Sequence, residues 1–266
     1  MQFASGKAPV VDTQVIIQAR MGSARLPGKV LLELAGRPVI AHVVRRAAAA
    51  SRVNRVVVAT TTMAEDDLIV AWAINAGIPV TRGSSNDVLD RYNQAATEWP
   101  CRRIVRITAD CPLADPGIID AVIAAHATDA FDYVSNLHPP TLPIGLDAEV
   151  FSRELLGRIA SEAVFASHRE HVTLYVRENR DRFRFGNVSF GRDCSRNARL
   201  TLDRPEDLHF FRAFFEKLAD SDSMPSIYEV LHLLEVNSSL ITINSGIDRF
   251  EGARKSAMSE NRTLNL

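Results

Sequence analysis

Cysteine is scarce in this 266-residue chain: three residues, Cys101, Cys111 and Cys194, far apart and odd in number. No C-x-x-C pair occurs, so neither a disulfide framework nor a zinc site is expected. Such thiol use suits a reducing compartment, and a cytoplasmic protein is predicted. Long apolar runs are missing as well. No stretch approaches the length of a membrane span, and residues 1–13 read as a loose leader, with Lys7 but no apolar core to make a signal peptide. An excess of either charge is also lacking, with 31 basic and 32 acidic residues giving −1. That excludes a global field for nucleic acid or an anionic membrane and makes any recognition of anions a local matter. Internal repeats and low-complexity linkers are absent too. What remains, 46% hydrophobic and 24% charged, is ordinary globular composition, with enough length to bury a sizeable core.

The pattern begins with Gln14–Gln18, a short β-branched strand. It runs into Ala19-Arg20-Met21-Gly22-Ser23-Ala24-Arg25-Leu26-Pro27-Gly28-Lys29, a small-residue loop carrying three cations. Gly22 and Ser23 can turn backbone N–H groups toward an anion. Arg20 and Arg25 offer forked donors, and Lys29 a compact charge. This chemistry suits phosphate, although the glycine spacings of the Walker A and G-x-G-x-x-G motifs are missing. A solvated basic turn would carry the same residues.

Strand and helix then alternate four times in all: strands 14–18, 54–60, 78–81 and 103–108, followed in turn by helices 38–51, 65–75, one capped by Ser85 or Asn86 and running to about Glu98, and 115–126. The alternation predicts a parallel, doubly wound sheet, with ligands outside the carboxyl ends of its strands. Beyond residue 130 the pattern loosens into strands at 132–135, 147–151, 183–190 and 199–202 and helices at 152–161, 167–179, 205–218 and 226–236. One domain over 14–237 is expected, in halves of about 14–130 and 131–237, and then a weakly patterned tail, 238–266.

Asp110 and Asp203 each follow an apolar strand and can meet over one cleft. One or two carboxylates plus substrate phosphates is the usual protein share of a Mg²⁺ site. A turn-forming Asp110 and a helix-capping Asp203 are the plainer alternatives. Thr60 and Arg82-Gly83-Ser84 lie in loops after neighbouring strands and are candidates for reading a base. Asp147 and Glu149 alternate onto one strand face. His168, Arg169 and His171 share a helical turn, with no clear third ligand to make the histidines a metal site.

The loop from Gln18 to Lys29 resembles the signature of the cytidylyltransferases that activate sugar acids, the CMP-sialate and CMP-Kdo synthetase superfamily. From Val15 to Lys255 the chain is most similar to the spore coat polysaccharide biosynthesis protein F branch. The resemblance implies an α/β, three-layer Rossmann-like nucleotide-diphospho-sugar transferase fold with a mixed, mainly parallel sheet. It implies transfer of CMP from CTP to a sugar acid or related sugar, with pyrophosphate released. Arg20 and Lys29 would then be catalytic, and Asp110 and Asp203 would hold Mg²⁺. Ala19, Met21, Gly22, Ser23, Arg25, Thr60, Arg82, Gly83 and Ser84 would bind nucleotide. Asp147, Glu149, His168, Arg169 and His171 would position the acceptor, and a homodimer is implied. A glycosyltransferase of the same broad fold and a non-catalytic nucleotide-binding protein are the alternatives. Against the former, Asp110-Cys111-Pro112 stands where an Asp-x-Asp motif would follow the fourth strand.

Overall fold

Runs of Val, Ile and Ala with no polar alternation need apolar cover on both faces, and the central strands receive it. In the computed structural model, which describes residues 8–218, 223–247, 254–255 and 258–260, β1 (Val11–Gln18) lies between β4 (Arg55–Thr61) and β6 (Cys101–Thr108), parallel to both. Beyond β4 comes β5 (Val80–Gly83), also parallel. Beyond β6 the direction changes: β8 (Glu149–Ser152) pairs antiparallel with β6 and with β7 (Tyr133–Ser135), and β9 (Phe185–Asn187) closes the edge parallel to β7. The seven-stranded order is β5-β4-β1-β6-β8-β7-β9. The remaining two strands, β2 (Glu33–Leu34) and β3 (Arg37–Pro38), form a small ribbon.

The alternation of β1 and β4 builds three layers. Val15, Ile17, Val56 and Val58 face one core, shared with α1 (Val39–Ala48), α4 (Pro116–His126), α8 (Pro205–Glu216) and α9 (Ile227–Val236). Ile16, Val57 and Ala59 face the other, covered by α3 (Val88–Glu98) and α5 (Arg153–Glu162). A further helix, α2 (Asp67–Asn75), comes after β4 and ends at Gly77, whose φ is +70°. No helix among the described residues is long and apolar enough to cross a membrane.

The structure departs from the sequence expectations in five places. The strand expected at Gln14 begins at Val11, so residues 11–13 are sheet rather than leader; residues 1–7 lie outside the described residues. Asp87, not Ser85 or Asn86, caps α3, accepting from the Asp90 amide. The single helix expected over 167–179 is two short ones, α6 (Ala166–Glu170) and α7 (Leu174–Glu178), broken where Val172 takes φ +49°. The strand expected over 183–190 shrinks to the three residues of β9. Residues 199–202 form no named strand: only Arg199 bridges, to Ile144, and Leu202 donates to the Asp110 carbonyl.

That last segment explains Gly145. Its φ is +102°, and a Cβ there would lie 1.9 Å from the Leu200 carbonyl oxygen. Gly77 also has positive φ, but a Cβ would meet nothing within 4 Å. Gly145→Ala is therefore expected to lose more than about 3 kcal/mol of stability, and Gly77→Ala only about 1 kcal/mol from backbone strain. Urea unfolding of the two variants checks this; equal losses would remove the close approach as the reason for glycine.

Candidate active site

The loop after β1 is shaped by its own backbone. The amides of Ser23 and Gly28 both donate to the Met21 carbonyl, at 2.8 and 2.9 Å. Gly28 takes φ +69°, which only glycine adopts without strain, and this turn presents Lys29. The Lys29 side chain is 11% exposed and its Nζ lies 2.7 Å from Asp110 Oδ2 and 3.0 Å from Asp203 Oδ1. Arg25 also pairs with Asp203. Three segments far apart in sequence thus meet at one ammonium. Burial works to lower the Lys29 pKa, but the two carboxylates outweigh it and hold it above its ordinary value. Burial works equally to raise both carboxylates, yet Lys29, with Arg25 at Asp203, holds each below the usual range. The triad is therefore ionised throughout the neutral range.

Asp203 is held in place by a buried neighbour. The fully buried Asp207 carboxylate accepts from the amides of Asp203 and Arg204, both at 2.9 Å, and from Arg199 Nε at 2.9 Å. Asn244 donates to it at 2.9 Å. Asp147 is positioned likewise: Asn136 donates to the Leu146 carbonyl and accepts from the Ala148 amide, clamping the backbone on either side.

These residues line a cavity of about 520 Å³ at the carboxyl ends of the parallel strands. Of the residues proposed from sequence, it brings together Ala19, Arg20, Ser23, Arg25, Lys29, Asp110, Asp147, Glu149, His171 and Asp203. The others lie elsewhere. Met21 turns onto the core and donates its amide to Asp66, and Gly22 packs against Glu65. The Met21 and Ser23 amides donate inside the protein, to Asp66 and to the Met21 carbonyl. Thr60 is fully buried. Arg82 ties the loops together through the Thr61 and Met63 carbonyls and Asp67. Gly83 packs on Gln94 and Arg91, and Ser84 accepts from the Asn86 amide. His168 is buried against Glu178, Phe165 and Tyr175. Arg169 grips Asp87 with two nitrogens and so fastens α6 to the start of α3. His168, Arg169 and His171 do share the turn of α6, the Arg169 and His171 amides donating to the Phe165 and Ser167 carbonyls, but of the three only His171 reaches the cavity. Burial pushes its imidazole down to about 4, so it adds no charge there at neutral pH.

Glu149 lines the cavity, but its carboxylate is saturated. It accepts from Arg106, from Tyr133 Oη at 2.5 Å and from Thr173 Oγ1 at 2.5 Å. Burial would raise its pKa, but Arg106 and Arg177 and these hydrogen bonds hold it at about 2. Its pairing with Arg106 fixes that guanidinium in the wall of the cavity.

Sequence reasoning missed Arg91, Arg106, Arg177, Arg199, Glu170 and Lys255, all lining the cavity. Isolated arginines on a helix or strand carry no motif; only the unusual polarity of Arg103 and Arg106 within an otherwise apolar strand hinted at one of them. Counting these, eight basic and five acidic side chains line the cavity among the described residues. Such a surplus fits a polyanionic ligand.

Comparison with known proteins agrees with this geometry. Residues 14–237 match the family model described as cytidylyltransferase. The spore coat polysaccharide biosynthesis protein SpsF of Bacillus subtilis (strain 168) is 35% identical over 240 residues, 87% of this chain and 97% of the relative. The solved structure of a cytidylyltransferase from Leptospira borgpetersenii serovar Hardjo-bovis superposes with a TM-score of 0.83 at 32% identity, covering 90% of this chain and 99% of that one. A CMP:2-keto-3-deoxy-manno-octonic acid synthetase complexed with CTP shares the fold, with a TM-score of 0.58 at 18% identity over 77% of this chain and 99% of that one.

Glu149→Gln tests the buried network. The folded pKa near 2 lies below the unfolded value of about 4.5, so the carboxylate's contribution is complete above pH 4.5 and is lost as pH falls through about 2. At pH 7 the variant should lose about 3–5 kcal/mol, the usual cost of breaking a buried pair. Urea unfolding at pH 7 and pH 3 should show the gap between variant and wild type narrowing in acid.

Proposed function

The chain belongs to the cytidylyltransferase family, and on that premise we propose that it transfers CMP from CTP to a hydroxyl of a sugar acid or related sugar, releasing pyrophosphate. The observation that carries this reading is the convergence of Lys29, Asp110 and Asp203 beside Arg20 and Arg25 in one cation-rich cavity. A triphosphate meets such a surface with its charge neutralised at several points, and the acceptor has room on the same wall as Asp147 and His171.

In this reading the acceptor hydroxyl attacks the α-phosphorus in line and the bond to pyrophosphate breaks. Catalysis is positioning and charge neutralisation, as in phosphoryl transfer generally. Arg20, Arg25 and Lys29 bind the triphosphate, and Arg25 and Lys29 stabilise the negative charge that develops on the leaving pyrophosphate. Asp147, fixed by Asn136, orients acceptor hydroxyls.

The residues also fit a divalent cation. Asp110 and Asp203 direct oxygens to a single point where a cation, the Lys29 ammonium, sits. Among the described residues no group of three or more His, Cys, Asp or Glu could hold a metal ion, so the balance of ligands would come from phosphate and water, the usual arrangement for Mg²⁺. When bound, Mg²⁺ on these two carboxylates would neutralise phosphate oxygens.

Pyrophosphate release with Mg²⁺, each of CTP, UTP, ATP and GTP, and a panel of sugar acids and sugar phosphates tests the reading; CTP-selective release is expected. Lys29→Ala and Asp110→Asn should each lower turnover about 100-fold or more while changing the KM for CTP much less, as for loss of one preorganised charge contact. Wild-type turnover in either variant would remove that residue from the mechanism. Silence toward every nucleotide with Mg²⁺ present, in binding and turnover alike, would sink the transferase reading.

A further inference from the structure

Arg91 lies in the first turn of α3 and is 2% exposed, yet its Nε and Nη1 are buried with no hydrogen-bond partner. An unpaired buried guanidinium is costly, and native proteins rarely keep one without a reason. The carboxylates nearest it are already committed. Asp66 accepts from the Met21 amide at 2.6 Å and from the Thr61 amide and hydroxyl. Asp87 caps α3 through one oxygen and holds Arg169 through the other, at 2.6 and 2.8 Å. Facing Arg91 on the cavity wall is a second guanidinium, Arg20, which makes no hydrogen bond or ion pair among the described residues. Burial, and then the charge of Arg20, lower the Arg91 pKa, so the two cations oppose each other in the ligand-free protein.

The fold makes room for this arrangement. A Cβ at Gly83 would lie 2.8 Å from Arg91 Cγ, so the glycine at the end of β5 admits the arginine stem. Gly83, expected from sequence to touch nucleotide, lets Arg91 lie where it does. An anion between Arg91 and Arg20 would satisfy both guanidiniums.

We propose that Arg91, together with Arg20, binds a phosphate of the nucleotide, the one joined to the nucleoside and retained in the product. The assignment rests on the CTP reading of the site. It follows from position: Arg91 stands in the first turn of α3, packed on β4 and β5, whose loops are the candidates for reading the base, whereas Lys29 is held apart by Asp110 and Asp203. The neutralisation removes the repulsion between the two guanidiniums, so ligand binding and relief of a buried charge are one event.

Thermal shift of wild type, Arg91→Met and Arg91→Lys with CTP, CMP, cytidine and pyrophosphate tests it. Without ligand, Arg91→Met should melt about 2–5 °C higher than wild type, because an unpaired charge has been replaced by an apolar chain. Its affinity for CMP should fall at least tenfold, its response to pyrophosphate should persist, and Arg91→Lys should fall between. Melting below wild type would show that Arg91 has a structural partner, and an unchanged CMP response would show that it does not bind that phosphate; either overturns the inference alone. If the wild type responds to none of CTP, CMP and pyrophosphate, the CTP reading fails with it.

Discussion

The Lys29 ammonium between Asp110 and Asp203 holds the site together. It joins the loop after β1, the end of β6 and the segment before α8, three places that sequence distance keeps apart. Each ion is partly removed from water, and each would be costly alone. Together they hold one another ionised. The surrounding backbone is built to deliver them: a left-handed Gly28 aims the lysine, and the buried Asp207 carboxylate fixes the Asp203 backbone by accepting its amide. Asp110 needs less help, because its carbonyl takes the Leu202 amide and so ties the two acidic segments directly to each other.

Two ways of handling buried charge stand side by side in the cavity. Around Glu149 every strong demand is met within the protein, by Arg106, Tyr133 and Thr173, and the result is a rigid wall. Around Arg91 the demand is left open, since the local carboxylates Asp66 and Asp87 serve backbone amides, a hydroxyl and Arg169 instead. Satisfied networks fix shape, and unsatisfied ones mark where a ligand belongs. Burial alone does not distinguish them, because Glu149 and Arg91 are each 2% exposed. Partner accounting does.

Much of the first half was legible because its signals are local. Short β-branched runs bounded by turn residues gave β1, β4 and β6 to within a few residues, and the basic loop announced itself by composition. Asp110 could be placed at a strand end. The second half was less legible for physical reasons. The segment 199–202 has the apolar character of a strand but packs as a bridge between loops, so propensity was overridden by tertiary placement. His168, Arg169 and His171 do share one helical turn, but a turn does not say which side chain faces a cavity, and of the three only His171 does before a left-handed Val172 redirects the chain into α7. Asp147 and Glu149 do share a face as period-two alternation requires, yet alternation says nothing of whether a carboxylate is already saturated. Arg91 was invisible, being a single arginine in a helix with the ordinary pattern of apolar neighbours.

A net charge of −1 argues against a surface field for nucleic acid but is silent about the site, because recognition of a small polyanion depends on charge within a few ångströms. The chain gathers basic side chains into the cavity and pairs others outside it with carboxylates: Arg82 with Asp67, Arg103 with Asp12, Arg184 with Asp132. Outside pairs of that kind are worth little to stability, but they cancel charge that would otherwise draw anions to the wrong place. Inside, Lys29 and Arg106 take up the carboxylates of Asp110, Asp203 and Glu149 and leave Arg20 and Arg91 with none of them. The field therefore concentrates where the sheet ends, at a place where parallel strands and their helix leave space for a ligand. Near-neutrality of the whole chain and a cavity rich in cations are thus reconciled by which arginines have a carboxylate partner and which do not.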